Sequence, residues 1–321
     1  MAFPNVSDIL ATTIENRSKK VQDNVTKNNA VLTWLSKRGN IKTFSGGHKI
    51  YEEISFAENG NFGWYSGYDP LPTAAQDVIT AAEYPIKQAA CPVVISGLEE
   101  LQNASKERMI DLMEQRLAVA ESTMANKIAE ALYSDGTGSG GKQLTGLAAA
   151  VPTDPTTGTY GGINRATWTF WRSQLEDPGT AYTSANINQG MNLLWSRMVR
   201  GSDRPDLILM DSATWNIYVA SLQALQRFTS AQSAKYGFPT IGFMDADVVL
   251  DGGIGGFANT SHAIFLNTKY IKYRPHANRN MVPLSPNRRY ATNQDAEVQI
   301  LAFAGNLTSS GPQFCGRLVN T

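Results

Sequence analysis

The 321-residue sequence predicts an α+β fold in which a helical arm, an exposed hairpin and one very long helix precede a mixed α/β lobe. Three observations predict it. Residues Lys49 to Phe56 alternate apolar and polar and run into Asn59-Gly60, a pair that tolerates the positive φ of a tight turn. From Lys106 to Tyr133, apolar residues recur at steps of three and four, the period of one helix face. Between residues 142 and about 265, helical patterns alternate with short apolar strands.

Composition sets the class and excludes some functions. Hydrophobic residues make up 42% and charged residues 17%, as in a globular chain rather than a disordered one. Basic and acidic residues number 28 each, so the formal charge is zero and no basic run offers a phosphate grip. DNA contact is therefore expected to be weak and non-specific. The opening Met1-Ala-Phe-Pro-Asn-Val has no basic stretch leading into an apolar one, which argues against a secretory signal. No run reaches the ~20 apolar residues of a membrane span. Cys91 and Cys315 are read as buried free thiols of a protein assembled in a reducing compartment.

Residues 1 to about 40 read as an arm, helical in propensity from Val6 to Lys37, with thin apolar spacing at Ile9, Leu10, Ile14, Val21, Val25, Leu32 and Leu35. Such a segment forms no core alone; it lies over a neighbour or frays on its own domain. The hairpin places Ile50, Ile54 and Phe56 on one face and Tyr51 and Glu53 on the other, and returns through Phe62 to Tyr68. An isolated hairpin is marginal in water, so its partner is expected on another chain. Val78 to Val94 is a second extended run, placed at a sheet edge by Pro85 and Pro92. Ser96 and Glu99 have the spacing of a capping box for a short helix, and Asn103 to Ser105 ends that helix and caps the next.

The long helix presents Met109, Met113, Leu117, Ala120, Met124, Ile128 and Ala131 as one stripe, with Asp111, Glu114, Glu121 and Glu130 away from it. Asp135-Gly136 stops it, and Gly136, Gly138, Gly140 and Gly141 form a hinge. In the lobe, Trp168–Leu175 and Ile187–Val199 read as helices and Asp206–Met210 as a buried strand. Asp211 or Ser212 caps a helix through Trp215, Val219, Leu222, Leu225 and Phe228. Strands follow at Phe243–Leu250, His262–Leu266 and Tyr270–Arg274, then Ala296–Leu307 and Gln313–Val319.

Each candidate for chemistry has a blander explanation. Gly136-Thr-Gly-Ser-Gly-Gly-Lys142 approaches a phosphate loop, but Gln143 replaces the metal-binding hydroxyl and a helix precedes it, so it reads as the hinge. Asp245, Asp247 and Asp251 lack the calcium-loop spacing and read as a solvated strand edge. The unit from Leu207 into the following helix lacks both the dinucleotide fingerprint and the nucleophile elbow. His48, His262 and His276 have no companion motif. No catalytic residue, cofactor or metal site is expected.

The order of segments resembles the Hong Kong 97 capsid fold of tailed bacteriophages. Three stretches fit it in wording: Gln143-Leu-Thr-Gly-Leu147, Arg204-Pro-Asp-Leu-Ile-Leu-Met210 and Asp295-Ala-Glu-Val-Gln-Ile-Leu-Ala-Phe-Ala304. The resemblance spans nearly the whole chain and rests on order, since each motif alone is weak. It implies an N-arm (1–40), an E-loop hairpin (41–77), a peripheral domain (78–140) with a spine helix (105–133), and an axial domain (141–262). Residues 263–321 would supply C-terminal strands of the peripheral domain, with room for a further axial segment.

The function so implied is that of a major capsid protein, not an enzyme. It would self-assemble as pentamers and hexamers into an icosahedral shell around double-stranded DNA, in the host cytoplasm and then the virion. Glu58, Asn59, Gly60, Phe62, Trp64, Tyr65 and Tyr68 would be the inter-subunit contacts of the E-loop. The implied partners are further copies of the chain, a separate scaffolding protein, a portal protein, an optional decoration protein and packaged DNA, with no membrane. From Lys49 to Tyr68 the hairpin has no lysine other than Lys49, which lies near its base, and Leu301 to Ala304 offers no acid for a cross-linking site. The shell is therefore expected to be non-covalent. Two rival readings are an encapsulin-like compartment enclosing a cargo enzyme and a soluble α/β enzyme using the lobe from Gly141 onward.

Overall fold

The computed structural model describes residues 29–102, 106–223, 240–252, 256–284, 289–290 and 294–320, with side chains of 100–114, 223, 240, 289 and 290 excluded. The architecture is mixed, with two main sheets and a projecting hairpin. In chain order come α1 (Ala30–Lys37), β1 (Lys49–Ser55), β2 (Ile79–Pro85), β3 (Lys87–Ser96), α2 (Gly97–Gln102) and the long α3 (Lys106–Leu132). Next are α4 (Leu147–Ala150), β4 (Thr159–Tyr160), β5 (Ile163–Asn164), β6 (Gln174–Glu176), α5 (Ile187–Met198), β7 (Leu207–Met210) and α6 (Ser212–Gln223). The last are β8 (Thr240–Phe243), β9 (Ala246–Leu250), β10 (His262–Leu266), β11 (Ile271–Pro283), β12 (Arg289–Tyr290), β13 (Ala296–Ser309) and β14 (Gly316–Val319).

The 14-residue β13 organises the first sheet. It pairs antiparallel with β11 and β12 along one side and with β3 along the other. Among the described residues β3 pairs with nothing else, so Pro92, which cannot donate to a ladder, sits on an edge as expected. The helix α3 lies against this sheet and measures ~40 Å at 1.5 Å per residue. Leu117, Ala120, Met124, Ile128 and Ala131 of the stripe are all buried, whereas Met109 and Met113 fall outside the described side chains. Asp135 and Gly136 follow the helix end, and residues 137–141 fold into a tight turn with Ser139, Gly140 and Gly141 all at positive φ. Gly146 then lies so close to the helix end that a Cβ there would come within 2.4 Å of the Leu132 carbonyl.

The second sheet has six strands in the order β6-β14-β10-β7-β9-β8. Its inner strand β7 is wholly buried, as its unbroken apolar run Leu207-Ile-Leu-Met210 requires. Ile208, Met210, Val248, Ala263, Phe265 and Leu318 pack with Ile187, Met191 and Leu194 of α5 on one face. Leu207, Leu209, Val249, Ile264 and Leu266 face the other way and join the main core. Asp211 caps α6 by accepting from the amides of Ala213 (3.2 Å) and Thr214 (3.0 Å). The expected extension of that helix through Leu225 and Phe228 lies outside the described residues.

Several expectations need correction. The arm is not one continuous helix to Lys37: Asn29 is extended (φ −108, ψ 122) and its side chain accepts from the Leu32 amide, so a new helix begins at Ala30. That helix is buried in the chain's own core through Val31, Leu32, Trp34 and Leu35, while residues 1–28 lie outside the described residues. Residues 41–44, assigned to the hairpin, bridge β11 instead, at Ile41 to Tyr273 and Phe44 to His276. Trp168–Leu175 is no helix; a single 3-10 turn at Thr169–Trp171 leads into β6, because Trp171 is buried and donates its indole N–H to the Tyr160 carbonyl (2.8 Å). The run Phe243–Leu250 is two strands, β8 and β9, joined by a turn at Met244-Asp245. The C-terminal strands divide: β11 to β13 belong to the first sheet, whereas β10 and β14 belong to the second.

The short α2 carries the expected capping box. Glu99 and Ser96 exchange amide-to-side-chain hydrogen bonds, both 3.3 Å. Arg116 of α3 adds a bidentate pair to the same carboxylate (2.6 and 2.9 Å) and donates to the Val94 carbonyl. Arg116 first, then the Ser96 amide, holds the Glu99 carboxyl down to about 2 from its ordinary 4.5. A depressed carboxyl stabilises the fold fully above its unfolded value and loses that contribution as pH falls through the folded one. Glu99→Gln should therefore lower the melting temperature most above pH 4.5, with the gap to wild type closing as pH falls toward 2. A gap independent of pH would contradict the assignment.

Candidate assembly interface

The hairpin is rooted by a buried carboxylate. β1 and β2 pair antiparallel from Lys49–Pro85 to Ser55–Ile79. The strand alternation turns Ile50, Glu52 and Ile54 inward, and Tyr51, Glu53 and Ser55 outward. Glu52 is only 4% exposed. It receives the Lys272 amine at 2.5 Å, the Arg274 guanidinium at 3.5 Å and the Thr308 hydroxyl at 3.0 Å, all from β11 and β13. Lys49 pairs across the hairpin with Glu83 at 2.5 Å. Tyr84 of β2 donates its hydroxyl to the Ser309 carbonyl (2.7 Å), and burial pushes that phenol well above its ordinary range. Asn306, fully buried, donates to the Pro85 carbonyl and accepts from the Thr145 amide, both 2.9 Å.

Beyond this root the chain makes a 23-residue excursion, 56–78, before β2 returns. The return strand is β2, not Phe62–Tyr68 as the sequence pattern suggested. Asn59 and Gly60 do form a turn, with the Asn61 amide donating to Asn59 Oδ1 at 3.0 Å and the Phe62 amide to the Asn59 carbonyl at 3.2 Å. The turn redirects the chain outward. Asn61 also reaches across to the Ala74 carbonyl (2.5 Å), closing a neck from which residues 62–73 project. Gly63, Gly67, Pro70 and Pro72 in that loop disfavour a regular ladder.

The projecting loop is apolar and unburied. Phe62 is 76%, Trp64 94% and Tyr65 65% exposed, Tyr68 is fully exposed and Leu71 is 57% exposed. Phe62 and Trp64 touch only edge to face, with centroids 5.6 Å apart. Glu58, Asn59 and Gly60 are exposed beside them. Between Lys49 and Lys87 there is no Lys, Arg or His, but there are six carboxylates: Glu52, Glu53, Glu58, Asp69, Asp77 and Glu83. Exposed aromatics clustered on one anionic loop are unusual for a solvated surface. Sequence reasoning named these residues but missed Glu52, whose signal was an acid in phase with Ile50 and Ile54.

The other candidates dissolve into structure. Asp245 pairs with Arg204 at 2.8 Å, and β9, which carries Asp247, lies between β7 and β8, so the expected solvated strand edge is wrong. Asp251 is half-buried and accepts from the Tyr133 hydroxyl; burial raises its carboxyl. Among the described residues no cluster of three or more His, Cys, Asp or Glu could hold a metal. Both cysteines are free thiols; Cys315 is buried, which pushes its thiol up to about 12, whereas Cys91, on the edge strand β3, is only half-buried and not buried as expected. No described helix is long and apolar enough to cross a membrane.

This set of parts, a rooted hairpin, a long helix on an antiparallel sheet and a six-stranded α/β lobe, defines the class of shell-subunit folds. More particularly, it is the Hong Kong 97 capsid fold. The cyanophage A-1(L) capsid structure matches at TM-score 0.65 and 15% identity, over 88% of this chain and 90% of that one. The capsid of Myoviridae phage XM1 matches at TM-score 0.52 and 14% identity, over 89% and 92%. The holo-SrpI encapsulin complex from Synechococcus elongatus PCC 7942 matches at TM-score 0.53 and 10% identity, over 90% and 87%. No family sequence model and no curated protein matches the chain.

Breaking the root should be costly, because it removes a buried carboxylate and leaves the half-buried Lys272 and Arg274 without their partner. Glu52→Ala is expected to destabilise the subunit by ~3–5 kcal/mol in chemical denaturation, and exposed Glu53→Ala by less than ~0.5 kcal/mol. Equal effects would contradict the role given to Glu52.

Proposed function

We propose that the chain is the major capsid protein of a tailed bacteriophage, assembling as pentamers and hexamers into an icosahedral shell around double-stranded DNA. The observation that carries this is the exposed aromatic loop on a buried ionic root, on a fold shared with capsid subunits. A loop that buries nothing on its own chain gains stability only from a neighbour, and symmetry multiplies that contact over the shell. The N-terminal arm adds a second overlap, and the glycine turn at Gly136 to Gly141, Gly138 included, serves as the hinge between helix and lobe. The role is structural, without catalysis, cofactor or metal. A separate scaffolding protein, a portal, an optional decoration protein and packaged DNA are the partners this reading calls for, in the host cytoplasm and then the virion.

The shell is read as non-covalent. Lys49 is held by Glu83 at the hairpin base, and Leu301 to Ala304 carries no acid. Mature particles should run as one subunit-sized band on denaturing gels; a high-mass ladder would contradict this. The second reading, an encapsulin-like compartment, is favoured by the match to the SrpI encapsulin. Lumen contents separate the two, genome-length DNA against a cargo protein.

Deleting Glu58 to Tyr68 removes the loop without touching the root. The variant should stay folded by circular dichroism and fail to form closed shells in electron micrographs. Normal shells from it would overturn the proposal.

A further inference from the structure

The turn that redirects the loop also carries a reactive pair. Asparagine is chemically labile, and Asn59 is the only asparagine of the chain followed by glycine. Both residues are exposed, where the excursion 56–78 leaves the hairpin. Only Cβ, Cα and the carbonyl carbon lie between Asn59 Cγ and the Gly60 nitrogen, so attack of that nitrogen on Cγ closes a five-membered ring. A side chain on the second residue obstructs the approach, and glycine has none. Two further features of the turn favour closure. Among the described residues no hydrogen bond engages the Gly60 N–H. The Asn61 amide donates to Asn59 Oδ1 at 3.0 Å, and that is the oxygen on which negative charge develops as the ring forms. Other exposed asparagines lack this combination: Asn164 and Asn278 each precede an arginine.

We propose that Asn59 is a site of spontaneous deamidation, which limits how long a free subunit keeps its loop in an assembly-competent form. The Gly60 nitrogen gives up its proton and bonds to Asn59 Cγ. The bond from Cγ to Nδ2 breaks, and the amide leaves with that proton as ammonia. Water, the sole co-reactant, then opens the succinimide at either carbonyl. Opening at Cγ yields aspartate, and opening at the former main-chain carbonyl yields isoaspartate, whose main chain runs through the old side chain. Either product adds a negative charge beside Glu58, in a loop that carries no cation. Isoaspartate also lengthens the main chain by one methylene. The two oxygens that build the turn, the Asn59 carbonyl accepting from Phe62 and Oδ1 accepting from Asn61, then exchange places in the chain. Asn61 closes the neck against Ala74, so the change re-aims the aromatic residues that follow. The chemistry stands on the turn alone; its effect on assembly rests on the shell reading above.

Free subunits aged in mildly alkaline and in mildly acidic buffer, then digested and followed by peptide mass spectrometry, test the chemistry. The expected result is a gain of one mass unit at Asn59 and none at Asn61 or Asn278. The gain should be faster in the alkaline buffer, because the attacking nitrogen must shed its proton. Gly60→Ala should slow it several-fold. That variant keeps the turn, since Gly60 lies outside the left-handed region and a Cβ there meets only the far end of the Gln76 side chain, at 3.2 Å. An unchanged Asn59, or Gly60→Ala reacting as fast as wild type, would overturn the proposal and leave the shell reading intact. Electron micrographs test the consequence. Wild-type subunits aged until isoaspartate predominates should form several-fold fewer closed shells than fresh ones, whereas aged Gly60→Ala should assemble as its fresh counterpart does. Equal assembly of aged and fresh wild type would overturn the limit on the free subunit. Absence of shells from the fresh, unaltered chain would instead remove the shell reading, with the mass gain still deciding the chemistry.

Discussion

A carboxylate buried at the root of the hairpin is the constraint on which the rest of this molecule turns. Glu52 leaves water only because Lys272, Arg274 and Thr308 converge on it from the two longest strands. Desolvating an ion costs several kcal/mol, and close paired cations are what offset that cost in a protein interior. The result is directional. β1 and β2 are fixed to the sheet at one end, and residues 62–73 of the 23 between them project from a defined place. Tyr84 and Asn306 tie the returning strand to the same sheet, so both limbs of the hairpin are anchored.

What projects has little internal reason to exist. Residues 62–73 bury almost no apolar surface, form no strand pair and carry no cation, yet they hold four large aromatics. The remainder of the subunit is well packed: the stripe of α3 is buried where it is described, and the six-stranded sheet is covered on both faces. The contrast separates two jobs. The sheets and the long helix supply the chain's own core, and on the proposed reading the loop is kept for another subunit.

Much of the fold was legible in the sequence where local and tertiary requirements agreed. The period of Leu117, Ala120, Met124 and Ile128 could satisfy only one helix face, and Ser96 with Glu99 fits only a helix start. The unbroken Leu207 to Met210 run could only be an inner strand. Legibility failed where pairing is decided at a distance. Asn59-Gly60 has the chemistry of a hairpin turn, but the glycines and prolines beyond it cannot build a return strand, so the ladder closes at Ile79. Trp168 to Leu175 reads as helical until Trp171 is claimed by the Tyr160 carbonyl and Leu175 by β14. The exposed aromatics were identifiable as unusual residues; the buried Glu52 was not, because its partners lie far away in sequence.

The central claim is that residues 62–73 acquire their burial from neighbouring subunits. Backbone hydrogen exchange compared between the free subunit and assembled particles tests it most directly. Amides from Phe62 to Thr73 should exchange freely in the subunit and become strongly protected in the particle, while those of β7 and β13 are protected in both. Unchanged exchange across the loop on assembly would contradict the account.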